Sequence, residues 1–75
     1  NTFVGKLAVV TIGTMTHERS AEVRLEDEHG RHHYVQAVAD AAGETFRAGD
    51  EVVIVGRQGS VFTVVRGPAA LLLEE

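Results

Sequence analysis

The stretch Ala21-Glu22-Val23-Arg24-Leu25-Glu26 decides the fold. Apolar side chains occupy positions 21, 23 and 25, and charged ones occupy 22, 24 and 26. A period of two puts one set on each side of a pleated strand, so the segment is a strand with a buried face and a wet face. Asp27-Glu28-His29-Gly30 follows directly, and a glycine in the fourth place can take φ > 0, so the chain turns tightly there. Residues 31–38 then form the return strand, which makes the two a hairpin.

Working outward, residues 2–16 read as one long strand, or two with a bend, with Gly5 and Gly13 able to supply bulges. Residues 51–57 form a fourth strand, in which the run Val52-Val53-Ile54-Val55 predicts burial on both faces. Gln58-Gly59 turns it into a fifth strand over 60–66. Phe46-Arg47-Ala48-Gly49-Asp50 places a glycine turn before the fourth strand and offers Phe46 as a plug for the core. Between the third and fourth strands there is room for one helical turn, capped by Asp40, running through Ala41 and Ala42 and ended by Gly43. Twelve valines, with isoleucine and threonine, bring the β-branched residues to twenty, and these fit a pleated surface better than a helix. The expected architecture is all-β: a small five-stranded antiparallel barrel of the OB type over residues 1–67. Ala21, Val23, Leu25, Val35, Val52, Ile54 and Phe62 are its expected core residues. Residues 68–75 are a short apolar C-terminal tail, helix-prone and polar only at its end, able to pack on a partner or to plug the barrel.

At 75 residues the chain is one small domain, with 44% apolar and 24% charged residues, the proportions of a globular protein. Its apolar runs fall far short of the roughly 20 residues that cross a bilayer. There is no cysteine, which excludes a disulfide scaffold, a thiolate metal site and a thiol nucleophile. A net charge of −4 argues against a strong phosphate binder.

His29, His32 and His33 fall close together, but His32 and His33 are neighbours on a strand and leave opposite faces. They cannot converge on one ion, and His29 with His32 or His17 leaves a ligand set short. No metal and no cofactor is expected. Glu26, Asp27 and Glu28 sit at a hairpin end, which reads as a solvated charged turn rather than an acid–base pair in a dry cleft. Ser20 and Ser60 lie outside any Gly-x-Ser-x-Gly turn, and no phosphate-cradling glycine loop is present. The chain is not expected to be an enzyme. Single-stranded nucleic-acid binding is the alternative, because OB barrels bind it with a basic groove and aromatic platforms. Here Arg24 stands between Glu22 and Glu26, with Arg31, a histidine and Tyr34 opposite, which makes a poor platform. Six arginines against one lysine are compatible with planar ion pairing to a protein partner, and a high-GC genome would produce the same bias.

The runs Ile12-Gly13-Thr14, Ala21-Glu22-Val23-Arg24-Leu25, Asp27-Glu28-His29-Gly30 and His33-Tyr34-Val35 together resemble the C-terminal OB domain of YqiJ-like membrane proteins, relatives of the NfeD family. The segment from Phe46 through Val55, followed by Gly59 and Phe62, is similar to the closing turns and strands of both groups. The Pro-x-Gly that often follows the first strand of NfeD domains is missing between Thr14 and Arg19, as is their strand-three Trp, so the likeness is to the YqiJ-like branch.

That resemblance implies a non-enzymatic docking domain of a membrane-anchored protein. Its implied partner is a flotillin- or stomatin-like membrane protein, or a second copy of itself. The full-length protein would lie in the cell membrane through helices outside this sequence, with this domain on the cytoplasmic face. A start at Asn1, without Met, fits a piece of a longer chain. The docking face expected on the barrel is the wet side of the second and third strands: Glu22, Arg24, Glu26 and Tyr34.

Overall fold

The computed structural model describes residues 3–67. It consists of β1 (Leu7–Ile12), β2 (Thr14–Met15), β3 (Ala21–Glu26), β4 (His32–Ala39), β5 (Phe46–Arg47), β6 (Glu51–Gln58) and β7 (Val61–Arg66). Five of these strands close into a barrel in the order β1-β3-β4-β7-β6, and β2 pairs with β5 in a small separate ladder. The tail at 68–75 lies outside the described residues.

Alternation builds the barrel as the sequence predicts. Ala21, Val23 and Leu25 point inward from β3 and are buried. Their Cα partners on β4 run from Ala37 to His33, antiparallel and without interruption. Ala8 and Val10, Ala37 and Ala39, Val52 and Ile54, and Phe62 and Val64 complete the lining. Val35 is half-buried against this cluster. Four of the inward positions are alanine, and small side chains there make room for larger ones in a narrow barrel.

Three expectations change. The barrel is mixed rather than antiparallel throughout, because β4 and β7 run parallel. The reason is parity: directions cannot alternate around a closed ring with an odd number of strands, so one neighbouring pair must agree. The run Val52-Val53-Ile54-Val55 is buried on one face only; Val52 and Ile54 are fully buried, whereas Val55 is 42% exposed. A barrel strand has one interior side, whatever its composition. Residues 41–44 form a hydrogen-bonded turn, with the Glu44 amide donating to the Ala41 carbonyl, rather than a helical turn after Asp40. The expected first strand does bend at Gly13, whose φ of 83° belongs to the left-handed region and separates β1 from β2. Among the described residues, 3–6 are not strand.

The bend matters because it delivers Met15 over one mouth of the barrel. Met15 pairs with Phe46 of β5, and both are fully buried. Phe46 is thus the plug its sequence position predicts. The Arg66 guanidinium lies 5.6 Å from the centre of the Phe46 ring and 3.6 Å from a Glu44 carboxylate oxygen. At the other mouth Phe3 packs at 5.7 Å between ring centres on Phe62.

Truncating the plug should therefore be more damaging than thinning a wall. Phe46→Ala is expected to cost about 3–5 kcal/mol, and Val23→Ala on the order of 1–3 kcal/mol. Urea unfolding would show both as lowered midpoints; a Phe46→Ala midpoint close to wild type would mean that the mouth is not sealed by this ring.

Candidate functional surface

The hairpin β3–β4 places the four expected docking residues. Arg24 and Tyr34 are Cα partners, Glu22 lies opposite Gln36, and Glu26 lies opposite His32. The outward side therefore carries three cross-strand rows, with the Arg24–Tyr34 pair central. Arg24 and Glu26 are exposed, and Tyr34 is 58% exposed. Glu22 is less free: its Oε1 accepts a hydrogen bond from Thr11 Oγ1 at 2.8 Å. Val9 of β1 extends the central row on the other side of Arg24. Lys6, Leu7, Val9, Arg24, Glu26 and His32 line a shallow groove there.

The hairpin end is more ordered than a solvated turn. Asp27 Oδ1 accepts from the backbone amides of His29 and Arg31 at 2.8 and 2.9 Å. Its Oδ2 lies 2.8 Å from His33 Nε2, and the side chain is only 18% exposed. The His33 hydrogen bond and then the Arg31 amide hold the Asp27 carboxyl well below the usual carboxylate range, against a smaller opposing effect of burial. His33 stacks in turn on Phe3, with ring centres 5.2 Å apart. Asp27 thus ties the turn to the mouth of the barrel where Phe3 packs. Sequence pattern marked it only as one of three acids; the clue was an Asp at the first position of a four-residue turn, where its side chain can accept from amides two and four residues on.

The histidines separate as the strand pattern predicts. His32 is exposed and His33 half-buried against Asp27. His29 faces Glu28 at 3.8 Å, and His17 Nδ1 is 2.9 Å from the Ala39 carbonyl. Among the described residues, no three histidine, aspartate or glutamate side chains gather as a metal site.

A closed, five-stranded barrel with this connectivity defines a small OB-type module. The chain belongs to the YqiJ OB-fold family: residues 2–65 match the family described as "Inner membrane protein YqiJ, OB-fold", in agreement with the likeness seen in its motifs. The solved soluble domain of a membrane protein implicated in regulation of membrane protease activity, from Corynebacterium glutamicum, is 26% identical with a TM-score of 0.69, over 85% of this chain and 90% of that one. The soluble domain of the NfeD protein YuaF from Bacillus subtilis is 24% identical with a TM-score of 0.67, over 83% of this chain and 70% of that one. The C-terminal domain of stomatin operon partner protein 1510-C from Pyrococcus horikoshii shares the fold at 18% identity and a TM-score of 0.66, over 87% and 88% of the two chains. No curated protein matches the chain. Among the described residues no helix is long and apolar enough to cross a membrane.

The Asp27 geometry sets a pH dependence with a definite sign. Its folded pKa lies below the unfolded value of about 3.9, so its contribution to stability is complete above that pH. It is lost as the pH falls from there through the folded value. Asp27→Asn should lower the melting temperature at pH 7, and the gap to wild type should close as the pH is taken from about 4 towards 1. A gap of the same size at every pH would assign the loss to shape rather than charge.

Proposed function

We propose that this barrel is a non-catalytic docking module of a membrane-anchored protein, and that its partner is a flotillin- or stomatin-like membrane protein. The observation that carries the reading is the Arg24–Tyr34 pair. It sits at the centre of an exposed polar face, on two strands that the ring and the Asp27 turn hold rigid. Arginine and tyrosine are the residues that most often anchor protein interfaces, because each covers a large area and keeps a polar end. Glu26 and His32 frame the pair and set which charges a partner must offer. Membership in the YqiJ family supports the membrane attachment, and a stomatin operon partner among the similar folds supports the class of partner. The cytoplasmic face of the membrane is the side we assign to the domain.

A single-stranded nucleic acid would use the same hairpin, stacking a base on Tyr34. Acids on both sides of Arg24, and the net charge of −4, work against a phosphate backbone there. The test is a pull-down from membranes with the full-length protein, comparing wild type with Arg24→Glu and Tyr34→Ala. Both variants should lose a flotillin- or stomatin-like protein that wild type captures, while their circular dichroism and melting temperature stay close to wild type. Retention of every partner by both variants removes this face from the reading. Tight binding of single-stranded oligonucleotide at moderate salt would replace the protein partner altogether.

A further inference from the structure

The two ends of the barrel differ in charge and in apolar exposure. β1, β4 and β7 begin at the end where Phe3 packs, and β3 and β6 finish there. The half of the barrel nearest Phe3 carries Lys6, Arg24, Arg31 and Arg57 against Glu26, Asp27 and Glu28, an excess of one positive charge. The other half, around Met15 and Phe46, carries Arg19, Arg47 and Arg66 against Glu18, Glu22, Asp40, Glu44, Asp50 and Glu51, an excess of three negative charges. His29, His32 and His33 also belong to the Phe3 half, where protonation of any of them adds to the positive side; His17 belongs to the other.

Apolar exposure follows the same division. Among the described residues, the exposed large aliphatic side chains are Val4, Leu7 and Val55 in the Phe3 half and Ile12 in the other. The Gly5 amide donates to the Ile54 carbonyl at 2.7 Å, and the Ile54 amide to the Lys6 carbonyl at 3.0 Å. The chain therefore runs beside the end of β6, which places Val4 and Leu7 next to Val55, with Lys6 and Arg57 alongside. The acids of this half are directed elsewhere. All three sit at the end of the β3–β4 hairpin, whose strands each stand two places round the ring from β6. Asp27 is engaged by His33 and two amides, and Glu28 faces His29. Glu26 Oε2 stands 3.6 Å from where a Cβ on Gly30 would lie, so this carboxylate leans towards the turn. Lys6 lies between the acids and the aliphatic patch, lining a cleft with Asp27 and Glu28 and a groove with Arg24 and Glu26. Among the described residues no carboxylate forms an ion pair with it.

Aliphatic side chains with cations beside them, on a domain whose excess acid lies at the far end, match the headgroup layer of a membrane that contains anionic lipid. Each lysine or arginine near such a surface strengthens binding roughly five-fold. The attraction decays within a Debye length, about 8 Å at physiological salt. The barrel measures 30 × 29 × 20 Å, so the acids of the Met15 end stand outside that field when the Phe3 end faces the lipid. The net charge of −4 then orients the domain instead of repelling it.

We propose that the Phe3 end of the barrel docks on an anionic lipid surface, with Val4, Leu7 and Val55 at headgroup level, Lys6 and Arg57 towards the lipid phosphates, and the Met15 end outward. The proposal rests on the membrane attachment in the reading above, and it leaves the Arg24–Tyr34 pair on the side wall, open to a partner. Phosphatidylglycerol vesicles carrying a gadolinium-chelate headgroup test it by nuclear magnetic resonance on the 75-residue protein. Amide signals of residues 4–7 and 55–57 should broaden, and those of 18–19 and 44–47 should stay sharp. On phosphatidylcholine vesicles with the same chelate the broadening should be lost. Lys6→Glu should weaken binding to the anionic vesicles at least about five-fold, and Val55→Asp should weaken it too, both with unchanged circular dichroism. Absence of broadening, broadening strongest at the Met15 end, or equal binding to the two lipids overturns the proposal. So does either variant if it binds as tightly as wild type. None of these outcomes bears on the protein partner, which the pull-down with Arg24→Glu and Tyr34→Ala tests separately.

Discussion

An odd number of strands closed into a ring must contain one parallel pair, and the rest of this structure accommodates that constraint. The pair is β4 and β7, and parallel neighbours cannot be joined by a tight turn. The chain therefore travels from the end of β4 across the mouth of the barrel and comes down β6 before it enters β7. That passage is what brings β5 over the opening, with Phe46 directed inward. The bend at Gly13 then supplies β2 as the partner that holds β5 there. The seal at one mouth thus follows from how the walls must close.

Much of the fold was readable because one physical signal, alternation, is strong where only one face is buried. It marked Ala21, Val23 and Leu25 as inward and Glu22, Arg24 and Glu26 as outward, and that placement put the proposed docking residues on one surface. It failed at Val52 to Val55, because β-branched residues suit both faces of a strand and do not say which is wet. No local pattern told which pair is parallel; that one pair must be follows from closing five strands into a ring, which an antiparallel reading of the barrel overlooked. Nor was Met15 recognisable as a plug: nothing in a single Met next to a glycine bend says which way the bend will aim it. The resemblance carried the reading to a family of membrane proteins, a step that no residue spacing here could make.

Asp27 shows how a polar group can work at the boundary between wall and mouth. One oxygen gathers the amides of the β3–β4 turn, and the other holds the His33 ring against Phe3. Phe3 also rests on Phe62, so a turn on one hairpin is connected to the second residue of the other hairpin's return strand through packed rings. The Arg24–Tyr34 pair sits in the middle of the hairpin that is fixed in this way. The pair is thus held by the strand pairing on either side of it and by the Asp27 turn at the hairpin end.

The parallel seam has a consequence in time as well as in space. The two hairpins β3–β4 and β6–β7 join residues close in sequence and can form early. The seams that close the ring join Gln36 to Val61 and Leu7 to Val53, and each needs a large loop to be closed before any pairing energy is returned. Chains dominated by such distant pairings fold in roughly milliseconds to seconds, not the microseconds of helical bundles of similar size. Both edges of each wall strand are paired only once the ring is closed, so the two long-range seams set the pace expected of this chain.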